Sequence, residues 1–193
     1  MIPYGRQWID EDDIQAVVEA LKSDWLTQGP KIDEFEKVLA RYCGSKYAVV
    51  VSNGTAALHL ACLAAGITDG DEVITSPITF AASANCAVYC GARAVFADID
   101  KDTYNINPSE IASKITSKTK AIIPVHFAGL PCDMEEIGEI AQKHGLIVIE
   151  DACHALGAEY WVKESWVRIG SCKHSDMAVF SFHPVKQITT GEG

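Results

Sequence analysis

The chain is poor in positive charge: 16 lysines and arginines stand against 26 aspartates and glutamates, for a formal net charge of −10. A surface of that sign repels phosphodiester backbones, which sets nucleic acid aside as a partner. It leaves room for a small phosphorylated ligand, because free N–H groups at a helix start bind phosphate without net cationic charge. Long apolar runs are also missing. No stretch approaches the roughly 20 residues that cross a bilayer, so no membrane association is expected. The opening MIPYGRQWIDEDD has no basic start followed by an apolar run, and predicts no secretory leader. The cysteines, Cys43, Cys62, Cys86, Cys90, Cys132, Cys153 and Cys172, are odd in number and include no Cys-x-x-Cys pair. That excludes the usual zinc and disulfide frameworks, and predicts reduced thiols in a cytoplasmic protein without a metal. Internal repeats, low-complexity tracts and a clear linker are absent too. What is present, 193 residues with 48% hydrophobic and 22% charged, is enough for one globular domain with a sizeable core.

The first 45 residues read as a helical segment. DEDDIQAVVEALKS spaces Ile14, Val17, Val18 and Leu21 at helical intervals after an acidic start, and KIDEFEKVLARYCG repeats the pattern with Gly44 as its stop. Between them, Asp24 to Pro30 is irregular and Trp25 is expected to be exposed. From Tyr47 the rhythm changes. YAVVV, DEVITS, RAVFADI, TKAIIPV, LIVIED and MAVFSF are short, largely apolar runs. Helical stretches SNGTAALHLACLAAG, TFAASANCAVYCG and DMEEIGEIAQKHG lie between them. Short apolar strands alternating with helices predict an α/β fold with a mainly parallel sheet sandwiched by helices. Ligands of such sheets bind at the carboxyl ends of the strands.

Four kinds of residue fall at those ends. SNGTAAL leads from a strand into a helix, so N–H groups near Gly54 and Thr55 either bind an anion or form an ordinary capped turn. Phe80 begins the helix after DEVITS, as a ligand-side plate or a core aromatic. Asp151 ends a buried strand, where a carboxylate needs a cationic or hydrogen-bonding partner. Cys153 and His154 follow it, but adjacent residues seldom face one another, which disfavours a thiol nucleophile. After MAVF come Ser181 and, beyond the strand-breaking Pro184, Lys186 in a loop, where desolvation makes a lysine nucleophilic towards carbonyls. An anion cradle, an aromatic plate, a carboxylate and a lysine on one sheet edge match the needs of pyridoxal 5′-phosphate: phosphate, ring face, ring nitrogen and aldehyde.

With these residues placed, the sequence resembles the DegT/DnrJ/EryC1/StrS family of sugar aminotransferases of fold type I. The likeness runs through LTQGP, SNGTAAL, PITFAAS, VHFAGLPCDM, IEDACHALGA and FSFHPVKQITTGEG, in family order and along essentially the whole chain. The last motif most resembles the branch acting in pseudaminic acid biosynthesis, which aminates a UDP-linked 4-keto-6-deoxy sugar with glutamate as amino donor. The resemblance implies that Lys186 links covalently to the cofactor and moves the proton, while Asp151 pairs with the ring nitrogen. It implies that His154 stands near the ring hydroxyl, Phe80 stacks on the ring, and Gly54, Thr55 and Ser181 hold the phosphate. Tyr4 and the segment Asp24, Trp25, Leu26 and Thr27 match the stretch lining the sugar-nucleotide pocket. The resemblance further implies that residues 1–193 are the cofactor-binding large domain of a longer protein whose small C-terminal domain follows. It also implies a homodimer with the active site at the interface. EYWVKESWVRIGSCKHSD departs from the family's usual shorter, Gly-rich turn. Some relatives dehydrate their substrate and carry histidine in place of the lysine, which Lys186 argues against; a catalytically inactive module is the other alternative.

Overall fold

The computed structural model describes residues 5–193. Helix α1 (Glu11–Lys22) starts at a reciprocal cap, Asp10 accepting from the N–H groups of Asp12 and Asp13 while Asp13 accepts from that of Asp10. Helix α2 (Pro30–Cys43) has proline in its first turn and ends at Gly44, whose φ of 79° closes the helix in the left-handed conformation. None of the α1 side chains is buried, and its apolar stripe of Ile14, Val17 and Leu21 is exposed.

Five parallel strands form the sheet, in the order β2-β1-β3-β4-β7. They are β1 (Glu72–Thr75), β2 (Arg93–Phe96), β3 (Thr119–Ile123), β4 (Ile147–Asp151) and β7 (Met177–Val179). Successive residues point to opposite faces, so each central strand feeds two cores. Val73, Ile123, Ile149 and Val179 pack with Leu58, Cys62 and Cys86 from α3 (Gly54–Ala64) and α4 (Ala82–Tyr89). Ile74, Ile122 and Val148 pack with Ile111 of α5 (Pro108–Lys114) and with Met134 and Ile137 of α6 (Met134–His144). Full burial of each such aliphatic side chain contributes about 1.5–3 kcal/mol. This three-layer arrangement is the one expected of the pattern. Edge strand β2 is the exception to two-sided burial, with Phe96 50% exposed.

Two segments differ from the sequence expectation. YAVVV forms no strand: Tyr47 and Val49 are exposed, and Val50 donates its N–H to a side chain, the Glu36 carboxylate, at 2.9 Å. A strand requires a partner, and among the described residues none pairs with 47–51 or with the outer edge of β7. Conversely, EYWVKESWVR forms an antiparallel hairpin, β5 (Glu159–Val162) and β6 (Ser165–Arg168). Its two-residue turn holds Lys163 and Glu164 at φ of 47° and 63°. This turn type normally carries Asn-Gly, so Lys-Glu gives no local signal for it. Trp161 and Trp166 oppose each other across the hairpin, ring centres 5.2 Å apart.

Candidate active site

The carboxyl ends of β1, β4 and β7 bring four chain segments together. The first is the start of α3. Asn53 is extended, and its side chain accepts from the Ala56 N–H at 2.9 Å while its carbonyl accepts from Ala57. The N–H groups of Gly54 and Thr55 have no protein acceptor among the described residues, as expected for a first helical turn. Gly54 is buried, and a Cβ on it would lie 3.2 Å from Cys153 Sγ and 3.4 Å from Ser181 Cβ. A Cβ here would be a tight contact, so glycine lets α3 begin this close to the strand ends without displacing either neighbour.

The second is the end of β4. Asp151 is 4% exposed, and its main chain is fixed by bonds to Pro124 O and from His126 N–H. One carboxylate oxygen accepts from the Cys153 N–H at 3.3 Å and the other from Ser83 Oγ at 2.6 Å. These donors are neutral. A buried carboxylate so held retains an unmatched negative charge, a fit for a protonated ring nitrogen.

The third segment is the loop after β7. Phe182 N–H donates to Gly193 O at 2.6 Å, Thr190 N–H to Phe182 O at 3.0 Å, and Ser181 Oγ to Gly193 O at 3.2 Å. The loop is thereby closed at its base, with half-buried Lys186 in its turn. The Lys186 charge reaches both Cys153 and His154. Burial, with Lys186 second, holds His154 below its ordinary pKa. Burial and then Asp151 push the Cys153 thiol far up, with Lys186 opposing only weakly. Cys153 directs its thiol towards Val179 O, so the adjacent Cys153 and His154 form no nucleophilic dyad. The His154 carbonyl instead accepts from Gln187 Nε2, beside Gly129, whose φ of 90° and absent Cβ allow the approach.

The fourth is the turn into α4. Phe80 is 76% exposed, which removes the core-aromatic alternative and leaves its ring face available at the strand ends. The structure thus gathers Gly54, Thr55, Asp151, His154, Ser181 and Lys186, with Phe80 on the segment tied to Asp151 through Ser83. It does not join Asp24, Trp25, Leu26 and Thr27 to them by any hydrogen bond: these four are exposed between α1 and α2. Tyr4 lies outside the described residues. The free N–H groups, the glycine-sized space, the buried carboxylate and the nearby amine fit the phosphate, ring nitrogen and aldehyde of pyridoxal phosphate.

Ser83 was not expected, since a serine in a first helical turn reads as a cap. A second unexpected group lies on the opposite sheet face. Fully buried His126 accepts the Cys132 N–H on Nδ1 at 3.1 Å, so Nε2 carries the proton it donates to Glu150 at 2.9 Å. Ser175 donates to the other Glu150 oxygen. This network clamps the loop after β3 onto β4, next to Asp151.

The chain is 53% identical over 192 residues to the uncharacterized protein MJ1066 of Methanocaldococcus jannaschii, covering all of this chain and 48% of that one. It is 48% identical over 192 residues to the spore coat polysaccharide biosynthesis protein SpsC of Bacillus subtilis, again covering all of this chain and 48% of the relative. Among solved structures it superposes on the putative sugar aminotransferase Spr1654 of Streptococcus pneumoniae in its PMP form. That match has a TM-score of 0.93 and 34% identity over all of this chain and 51% of the other. It also superposes on Helicobacter pylori PseC, an aminotransferase involved in the biosynthesis of pseudoaminic acid, with a TM-score of 0.88 and 35% identity over 98% and 50% of the two chains. The chain therefore spans about half the length of the curated relatives it matches, and has the α/β fold of the large domain. The model of the DegT/DnrJ/EryC1/StrS aminotransferase family matches residues 7–193, and the chain belongs to that family.

Proposed function

We propose that residues 1–193 are the pyridoxal-phosphate-binding large domain of an aminotransferase, with 1–45 as a helical approach to it. Its substrate in this reading is a nucleotide-linked 4-keto-6-deoxy sugar, the UDP-linked precursor of pseudaminic acid, with glutamate as amino donor. The carrying observation is the convergence of the Gly54 and Thr55 N–H groups, buried Asp151 and Lys186 at one sheet edge. Sugar aminotransferase neighbours support the sugar class, and PseC supports the particular sugar.

Bound pyridoxal phosphate supplies an electron sink for cleaving the bond to the migrating proton. The chain's residues do the rest. Gly54 and Thr55 N–H groups and the Ser181 hydroxyl, turned from Gly193 O, would bind the phosphate, Phe80 would cover a ring face and Asp151 would keep the ring nitrogen protonated. His154 donates to the ring hydroxyl. Lys186 Nζ would hold the cofactor through its aldehyde and, once released from it as a free amine, would carry the proton between substrate and cofactor carbons. Tyr4 and Asp24 to Thr27 line the sugar-nucleotide pocket, completed at the interface of a homodimer.

The test is incubation with pyridoxal phosphate, borohydride reduction and peptide mass spectrometry. The pyridoxyl mass is expected on Lys186, and Lys186→Ala is expected to abolish it while remaining folded. An adduct on another lysine overturns the assignment. For the substrate, amino transfer from glutamate is compared across UDP- and dTDP-linked keto sugars.

A further inference from the structure

The χ2 torsion of aspartate is broad, so the plane of a buried carboxylate can swing within one rotamer. Asp151 therefore needs an anchor to present one geometry. The Cys153 N–H, at 3.3 Å, is a long bond; Ser83 Oγ, at 2.6 Å, is a short one to a charged acceptor, and Ser83 is fully buried. The Ser83 hydroxyl has one proton and two acceptors in reach, Asp151 at 2.6 Å and Phe80 O at 3.2 Å. The nearer, ionised acceptor takes it. Thr79 Oγ1, 2.6 Å from Ser83 Oγ, must then donate its own proton to Ser83. The direction of the chain is fixed: Thr79 to Ser83 to Asp151. Helix α4 has no side-chain cap, so this first-turn serine is not engaged in capping its own helix. Its hydroxyl instead crosses to a residue 68 positions away.

We propose that Ser83, oriented by Thr79, is the positioning residue for Asp151. It holds the carboxylate in the single orientation in which it meets a ring nitrogen, and ties that carboxylate to the segment carrying Phe80. The inference rests on the proposed role of Asp151. It differs from it in assigning the geometry of the pair to a residue outside the cofactor's own contacts.

The test compares two probes, pyridoxal phosphate and its 1-deaza analogue, in which carbon replaces the ring nitrogen. Binding to the chain and its variants is followed by absorbance titration. Ser83→Ala is expected to weaken pyridoxal phosphate about tenfold, the scale of one hydrogen bond to a charged group, and the deaza analogue less than about twofold. Ser83→Cys, close in shape but a weak donor, should give the same split, and Ser83→Thr should restore most of the affinity. In an Asp151→Asn background, Ser83→Ala should have no further effect on pyridoxal phosphate. Equal losses for both probes would make Ser83 merely structural and overturn the proposal. If Asp151→Asn discriminates between the probes and neither Ser83 variant does, the proposal alone falls. If Asp151→Asn does not discriminate, the role of Asp151 falls first. A wild-type chain that takes neither probe overturns the proposed function itself.

Discussion

Gly54→Ala separates the cradle from the fold. The residue has no positive φ, so alanine is compatible with its backbone. Alanine also narrows the unfolded ensemble, a gain of about 0.4–1 kcal/mol. Against this, the new Cβ lies 3.2 Å from Cys153 Sγ and 3.4 Å from Ser181 Cβ, inside the optimum of roughly 3.5–4.0 Å. Both neighbours lie just past strand ends and are half-buried, and overpacking of this kind costs about 1–3 kcal/mol. The cost outweighs the gain, leaving a net loss of about 1 kcal/mol. Binding suffers more, because the atoms displaced are those beside the phosphate cradle. Urea unfolding of the cofactor-free chain should show the small loss, and titration with pyridoxal phosphate a loss of at least about tenfold, equivalent to 1.4 kcal/mol or more. Unchanged affinity with reduced stability would refute the cradle, reducing Gly54 to a packing glycine.

Two further outcomes are expected. His154 is held below its ordinary pKa by burial and then by Lys186. The unfolded chain therefore binds its proton more readily, and His154 contributes stability that is present above about pH 6.5 and lost as pH falls towards the depressed folded value. Lys186→Gln should move the His154 titration upward in NMR, and no movement would place the Lys186 ammonium away from it. His126→Ala leaves the buried Glu150 without its ring donor and opens a cavity, so it should cost about 2–4 kcal/mol in urea unfolding; under about 1 kcal/mol would show that the clamp is dispensable.

Local patterns in the sequence determined most of the architecture. DEVITS, TKAIIPV and LIVIED are apolar on both faces, and DMEEIGEIAQKHG carries its own cap and stop, so a parallel sheet between helices follows from periodicity alone. The placement of Asp151, Ser181 and Lys186 at or beyond strand ends was legible because strand ends can be located from the same periods. What depends on distant partners was not. YAVVV has the composition of a strand, but a strand exists only against another, and none lies beside it among the described residues. The hairpin at 159–168 has a turn that lacks the usual residues and is held by cross-strand pairing instead. Phe80 by itself reads first as a core aromatic, until packing leaves it exposed. Ser83 looks like a helix cap until the fold brings Asp151 within 2.6 Å. Periodicity is a property of neighbours along the chain and places elements. Which side chains meet across those elements is settled by packing, and in this protein that decides the partner of the buried carboxylate.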